Sequence, residues 1–193
     1  MKLLHVESSV LGDNSASRRL TAAIVARLRA EHPDIAVTYR DLATRTLRHF
    51  MPVLAEGHPC VARNQEILDE FLAADVVVVG APMYNFTIPS QLKAWIDRIF
   101  VRGKTFRYTG HGPEGLVRGK RVIVASARGG VYSESPATAV DFQEPYLRHV
   151  FGFMGIDGVE FIRAEGLNLG ATERDAAMAS AHAQIADGMR IAA

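Results

Sequence analysis

A single cysteine, Cys60, is all this 193-residue chain carries, which excludes an internal disulfide and any cysteine-based metal cluster. One thiol is compatible with a reducing compartment. The chain also lacks a charge imbalance. Its 22 Lys and Arg stand against 21 Asp and Glu, a formal net charge of +1 that argues against nucleic acid or a membrane surface as the main partner. No apolar run approaches the roughly 20 residues a transmembrane helix requires. His5 and Glu7 interrupt the first residues too early for a secretory signal, so a cytoplasmic protein is expected. No internal repeat or low-complexity segment stands out. What remains is 48% hydrophobic and 22% charged, the make-up of one ordinary globular domain over residues 1–193.

The stretch that organises the rest is Asp75-Val76-Val77-Val78-Val79-Gly80-Ala81-Pro82. Consecutive valines bounded by turn residues read as a strand buried on both faces, as in a parallel sheet covered by helices. Pro82 should turn the chain into a loop. That loop carries Met83, Tyr84, Asn85 and Phe86, groups larger than a connector needs. Further strands are expected at residues 3–6, 35–39, 121–127 and 159–164. Helices are expected from Ser17 to His32, with Leu20, Ile24 and Leu28 on one face, and over residues 62–73, 91–100, 141–154 and 172–189. For 141–154 the inward candidates are Tyr146, Val150 and Phe153. Residues 44–59 show no period, and the glycine-rich 103–119 reads as a long loop. Strands alternating with helices give an α/β doubly wound parallel sheet. Rossmann and flavodoxin-like strand orders both satisfy the pattern, and five strands favour the flavodoxin-like order 2-1-3-4-5.

In such sheets ligands bind at the carboxyl ends of the strands, and three loops with chemical potential fall there. After strand one, Ser9, Ser15 and Ser17 open a helix whose unpaired N–H groups suit a phosphate, with Arg18 or Arg19 as added charge. Ser15 or Ser17 reads equally well as a plain helix cap. After strand three, Met83, Tyr84, Asn85 and Phe86 form either a wall for a planar ring or a packing surface for the next helix. After strand four, Arg128-Gly129-Gly130 lets backbone N–H groups approach a ligand, or makes an ordinary tight turn. Three loops on one sheet edge say more than any one of them.

Other signals fade. The residues from Gly110 to Gly115 spell G-x-G-x-x-G, but no strand enters them and no helix follows. The residues from Gly115 to Lys120 are one short of a Walker sequence, and Arg121 stands where its Ser or Thr belongs. The histidines lack metal spacing, His5 reads as structural, and Cys60 has no evident activating partner. Ser126 lacks the G-x-S-x-G elbow of a hydrolase.

Taken together, Ser8-Ser9 with Ser15-Ala16-Ser17, Ala81-Pro82-Met83-Tyr84-Asn85-Phe86, Phe106-Arg107-Tyr108-Thr109, Gly112-Pro113-Glu114-Gly115-Leu116 and Arg128-Gly129-Gly130 resemble the FMN-dependent NADH azoreductase and quinone oxidoreductase family, over nearly the whole chain. The resemblance implies a flavodoxin-like fold and a bound FMN. Ser9, Ser15, Ser17 and the N–H of Ala16 would hold its phosphate. Met83, Tyr84, Asn85 and Phe86 would line its ring, and Ala127, Arg128, Gly129 and Gly130 would meet the pyrimidine side through backbone groups, with Tyr132 near that edge. It further implies a homodimer with sites at the interface, to which Phe106 and Tyr108 of one subunit reach from the other. NADH would reduce the flavin and then give way to a quinone or azo compound in ping-pong fashion, an azo bond needing two cycles. Two departures stand out. Ala127 occupies a position where the family commonly has Ser, and the segment after strand two looks shorter than in some members. The rival readings are a flavodoxin-type electron carrier, for which near-neutral charge is unusual, and a flavin-free hydrolase using Ser9 or Ser126.

Overall fold

The computed structural model describes residues 1–51 and 57–188. In chain order the elements are β1 (Lys2–Glu7), α1 (Ala16–Glu31), β2 (Ala36–Asp41), α2 (Pro59–Ala73), β3 (Val76–Pro82), α3 (Ser90–Ile99), β4 (Phe106–Thr109), β5 (Gly112–Gly115), β6 (Arg121–Ala127), α4 (Glu144–Phe153), β7 (Glu160–Ala164) and α5 (Ala171–Ala186). The main sheet is parallel, in the order β2-β1-β3-β6-β7. Counted among its own strands this is 2-1-3-4-5, the flavodoxin-like order.

β3 lies at the centre, and all of its positions are buried. Because a strand turns alternate side chains to opposite faces, its valines serve two cores at once. Val77 and Val79 pack with residues of α2, α3 and α4. Val76 and Val78 pack with residues of α1 and α5. A polar residue anywhere in the run would enter one core or the other, hence the uninterrupted valines. On α3, Leu92, Trp95, Ile96 and Ile99 face inward at helical spacing, each burial stabilising by about 2 kcal/mol. Trp95 meets Phe71 of α2 edge to face at 5.9 Å.

Four stretches differ from expectation. The glycine-rich 103–119 is not a loop throughout, because β4 and β5 form an antiparallel ribbon within it. Phe106 anchors the ribbon against Phe100 and Phe153, with ring centroids 4.5 and 5.2 Å away. Arg107 and Glu114 pair across it at 2.8 Å. Gly115 is required there, since a side chain would strike the backbone of Met154 and Gly155. α4 starts at Glu144 rather than at 141, because the Asp141 carboxylate accepts the N–H groups of Gln143 and Glu144 and holds the chain in a turn first. Its innermost side chains are Leu147 and Phe151, with Tyr146 and Phe153 only half buried. Pro82 ends β3 but still pairs with Ala127, so the strand runs to the proline itself. α2 begins at Pro59, three residues before the expected start. Within the expected irregular stretch, residues 52–56 lie outside the described residues, as does Met189 at the expected end of α5. Among the described residues, no helix is long and apolar enough to cross a membrane.

Candidate functional site

At the carboxyl ends of β1, β3 and β6, which are neighbours in the sheet, the following loops enclose a cleft of about 590 Å³. Its wall includes Ser9, Ser15, Ala16, Met83, Tyr84, Ala127, Arg128 and Gly129 from the predicted set. Ser17, Asn85, Phe86, Gly130 and Tyr132 stand beside the wall rather than in it.

The first side is the start of α1. The Ser15 Oγ accepts from the N–H of Arg18 at 3.3 Å, so the plain-cap reading is true of Ser15. Capping takes one of the four orphan donors of a helix start. Among the described residues the N–H groups of Ala16 and Ser17 have no acceptor. Ser17 is fully buried behind this turn, its Oγ 3.0 Å from that of Ser15. Arg18 is not free to add charge. Its guanidinium binds the Ser9 carbonyl at 2.9 Å and Asp41 at 2.8 Å, and the Asp41 hydrogen bond raises its already high pKa further. Arg19 is the arginine that lines the cleft.

The second side is the loop after β3. Met83 donates to the Ala127 carbonyl at 2.8 Å, which ties this loop to the one after β6. Tyr84 and Thr87 exchange backbone hydrogen bonds of 2.9 and 3.1 Å, closing a two-residue turn. Its central residues, Asn85 and Phe86, have φ of 49° and 69°. Positive φ at both positions is the type I′ geometry, natural for Asn and costly for Phe by about 1–2 kcal/mol. The turn is held from outside by the N–H of Phe142, which donates to the Phe86 carbonyl at 3.0 Å. It places the Tyr84 hydroxyl 3.3 Å from the Ser9 Oγ, bridging the first two sides of the cleft. Phe86 is half exposed and meets the Tyr132 ring edge to face at 6.2 Å. Asn85 borders an adjoining hollow of about 570 Å³, which shares Tyr84 with the cleft and also contains Tyr146. Burial pushes the Tyr146 hydroxyl up to about 12, so it stays a neutral hydrogen-bond donor there.

The third side is residues 127–130. Their carbonyls are consumed by neighbours: Ala127 by Met83, then Arg128, Gly129 and Gly130 by the N–H groups of Leu167, Asn168 and Gly166 at 3.1, 2.9 and 2.9 Å. The N–H groups of Gly129 and Gly130 find no acceptor among the described residues. A side chain on Gly129 would press on the amide end of Asn168, which would have to swing aside. The Arg128 side chain turns away from the cleft into a set of carboxylates, and its N–H is spent on the Ala164 carbonyl at 2.8 Å. The donors this loop offers a ligand are therefore those of Gly129 and Gly130 rather than of all four expected residues.

Of the remaining wall residues, Arg19 was one of the two arginines expected to add charge and Pro82 belongs to the quoted Ala81–Phe86 motif, while Leu11, Asp13, Asn14, Leu167, Asn168 and Arg174 were not singled out by sequence. Leu167, Asn168 and Arg174 follow β7, whose carboxyl end lies on the same sheet edge, so the strand-end rule extends to them. Phe106 does not reach outward as expected. It is buried beneath its own ribbon, while Tyr108 is 59% exposed. His5 is structural, its Nε2 2.9 Å from the buried Glu7 carboxylate. The Ser126 hydroxyl donates to Gln143 at 2.8 Å and accepts from Arg128 at 2.9 Å, neither of which is a base able to activate it.

Free N–H donors at both ends, with a sulfur and an aromatic group between, fit an elongated ligand with an anionic head and a flat, polar-edged ring. A family model described as flavodoxin-like fold matches residues 1–188. An FMN-dependent NADH:quinone oxidoreductase of Sinorhizobium fredii (strain NBRC 101917 / NGR234) is 59% identical, with 97% of each chain covered. Among solved structures, the azoreductase from Bacillus anthracis str. Sterne superposes with a TM-score of 0.88 at 32% identity, over 97% of each chain. An FMN-dependent NADH-azoreductase from Bacillus anthracis str. Ames Ancestor, solved in complex with FMN, gives 0.85 at 25% identity, over 98% of this chain and 99% of that one.

Proposed function

Because the chain belongs to the flavodoxin-like-fold family that includes these FMN-dependent NADH:quinone oxidoreductases, we infer that it binds FMN and carries two electrons from NADH to quinones and, in two cycles, to aromatic azo compounds. When bound, FMN supplies the redox chemistry, taking a hydride from NADH and passing two electrons to the acceptor. The work left to the chain is to hold, orient and keep water out. The observation that carries this reading is the pairing across one cleft of orphan N–H donors at Ala16 and Gly129 in its wall, with those of Ser17 and Gly130 beside them.

The phosphate falls to Ser9, Ser15 and the N–H groups of Ala16 and Ser17, supported by the partial positive charge of the α1 N-terminus. Met83 and Tyr84 wall the ring, and the strained Asn85-Phe86 turn carries the wall into the adjoining hollow, where a flat acceptor stacks. The N–H groups of Gly129 and Gly130 serve the pyrimidine edge, Tyr132 standing behind them. Ala127 contributes a methyl group where many relatives would offer a hydroxyl, so this edge rests on backbone donors alone. A single mouth for donor and acceptor in turn makes the kinetics ping-pong. The protein acts in the cytoplasm as a homodimer, for which the exposed Val10, Leu11, Phe142 and Leu169 around the loops provide apolar surface.

The test is a spectrum of the purified protein loaded with FMN and freed of excess. NADH added without oxygen bleaches the flavin, and a quinone restores it. A bound flavin that NADH cannot bleach would sink the reductase reading in favour of an electron carrier.

Asn85 offers a cleaner probe than its obvious alanine variant. Asn85→Gly keeps the positive φ, whereas Asn85→Ala costs the turn about 1 kcal/mol. Both delete the amide. Equal losses of FMN affinity or turnover in the two variants, with denaturation midpoints lower only for alanine, assign the loss to the amide. A glycine variant with full affinity and turnover removes Asn85 from the site.

A further inference from the structure

The phosphate end of the cleft holds two arginines that the helix cap and serines do not explain. Arg19 lies one turn after Ser15 on α1, so both share a face. Arg174 lies in the first turn of α5, where its Nε donates to the Leu167 carbonyl at 2.9 Å. Helical side chains lean toward the N-terminus of their own helix, which carries both guanidiniums toward the mouth they line. Neither has a carboxylate partner among the described residues. Arg18, the neighbouring candidate, is consumed by Asp41 and Ser9. Asp13 is the one acidic residue on the same wall, so these rim charges sum to an excess of one positive charge. Position 16 is alanine and offers no side-chain donor to an anion, which leaves the solvent side of the phosphate seat to these two.

We propose that Arg19 and Arg174 close over the cofactor's phosphate from the solvent side and make this cleft selective for a phosphomonoester dianion, FMN over riboflavin and over the diester of FAD. This rests on the reading of the cleft as the flavin site. A monoester carries close to two negative charges near neutral pH and three acceptor oxygens, enough for two guanidiniums and the helix start together.

The experiment titrates apoprotein with FMN, riboflavin and FAD by fluorescence quenching, in the parent chain and in the double variant Arg19→Gln, Arg174→Gln, at low and high salt. The expected result is a loss of FMN affinity of about tenfold per guanidinium. Riboflavin affinity stays unchanged, and the salt dependence of FMN binding flattens. Equal losses for FMN and riboflavin overturn the proposal by making the arginines structural. So does a parent-like preference for FMN in the double variant. Unchanged FMN affinity with altered discrimination between NADPH and NADH also overturns it, and assigns the pair to the donor's phosphate. A parent chain that retains no flavin at all would instead overturn the reading of the cleft itself.

Discussion

Ser15→Asp protein is expected to fold as stably as its parent and to leave purification colourless. The reason lies in the two roles the structure gives this residue. As the cap of α1, Ser15 accepts the N–H of Arg18, and aspartate performs that task equally well. Its charge also suits a helix N-terminus, so the stability of the apoprotein should stay within about 1 kcal/mol of the parent. The same carboxylate, however, would stand where the phosphate is to be held. Two charges about 4 Å apart repel by about 4 kcal/mol at an effective dielectric constant of 20, close to a thousandfold in affinity. Ser15→Ala separates the terms. It loses the cap, about 1 kcal/mol, and one hydroxyl, but adds no charge, so FMN affinity falls by about tenfold. Denaturation midpoints and FMN titrations of the three proteins decide the matter, with riboflavin as control. If Ser15→Asp keeps FMN within tenfold of the parent, the phosphate does not sit at the start of α1.

How much of this was legible in the sequence depends on the range of the forces involved. β3 was plain because burial on both faces leaves a one-dimensional mark, and the valines carry it. The start of α1 was legible only to within a residue, since a helix was expected from Ser17 with Ser15 or Ser17 as its cap, and the structure begins it at Ala16 with Ser15 as the cap. The ribbon of β4 and β5 was not, since its glycines and Pro113 have low strand propensity. What makes it a ribbon is the burial of Phe106 against Phe100 and Phe153, residues brought together only by the fold. The start of α4 depended on one carboxylate, Asp141, whose turn-forming hydrogen bonds no period reveals.

The site divides along the same line. Three of its loops were found by combining motif and strand-end position. The fourth, with Leu167, Asn168 and Arg174, carries no motif and is defined by its backbone ladder to residues 128–130. Arg18 and Arg19 were indistinguishable as letters. Only the position of Asp41, at the end of a neighbouring strand, decides which of them is spent.

Arg128→Met is expected to be the most damaging single substitution near the cleft, although the guanidinium touches no ligand. It is 1% exposed and pairs with Asp141, Glu144 and Glu165 at 3.0, 2.7 and 3.1 Å. Methionine fills much the same space, so the loss is mainly electrostatic: three carboxylates remain, largely buried, without their common cation. Glu144 keeps Arg163, held through two hydrogen bonds of 2.7 Å, but Asp141 and Glu165 are left with backbone donors alone. Breaking a buried pair on one side typically costs about 3–5 kcal/mol. The pH dependence has a definite sign. Burial by itself would raise the pKa of Glu165, but hydrogen bonds from Ser133 and Tyr132 and the charge of Arg128 outweigh it and hold the group below its ordinary value. In the parent, Glu165 therefore stabilises the fold above the ordinary carboxylate range, and this contribution is lost as pH falls through the lowered pKa. In the variant the burial contribution gains weight and protonation relieves strain rather than removing support. The stability gap between the two proteins should thus be widest near pH 7.5 and narrow toward pH 5, as urea denaturation at the two values would measure. Arg128→Lys should restore the charge, and with it most of the pH behaviour, but only part of the stability, since an ammonium cannot span three carboxylates as a guanidinium does. A gap below about 1 kcal/mol, or one that does not change with pH, would mean that the carboxylates find other partners. The loop they brace, residues 127–130, would then owe its shape to its ladder with residues 164–168 alone.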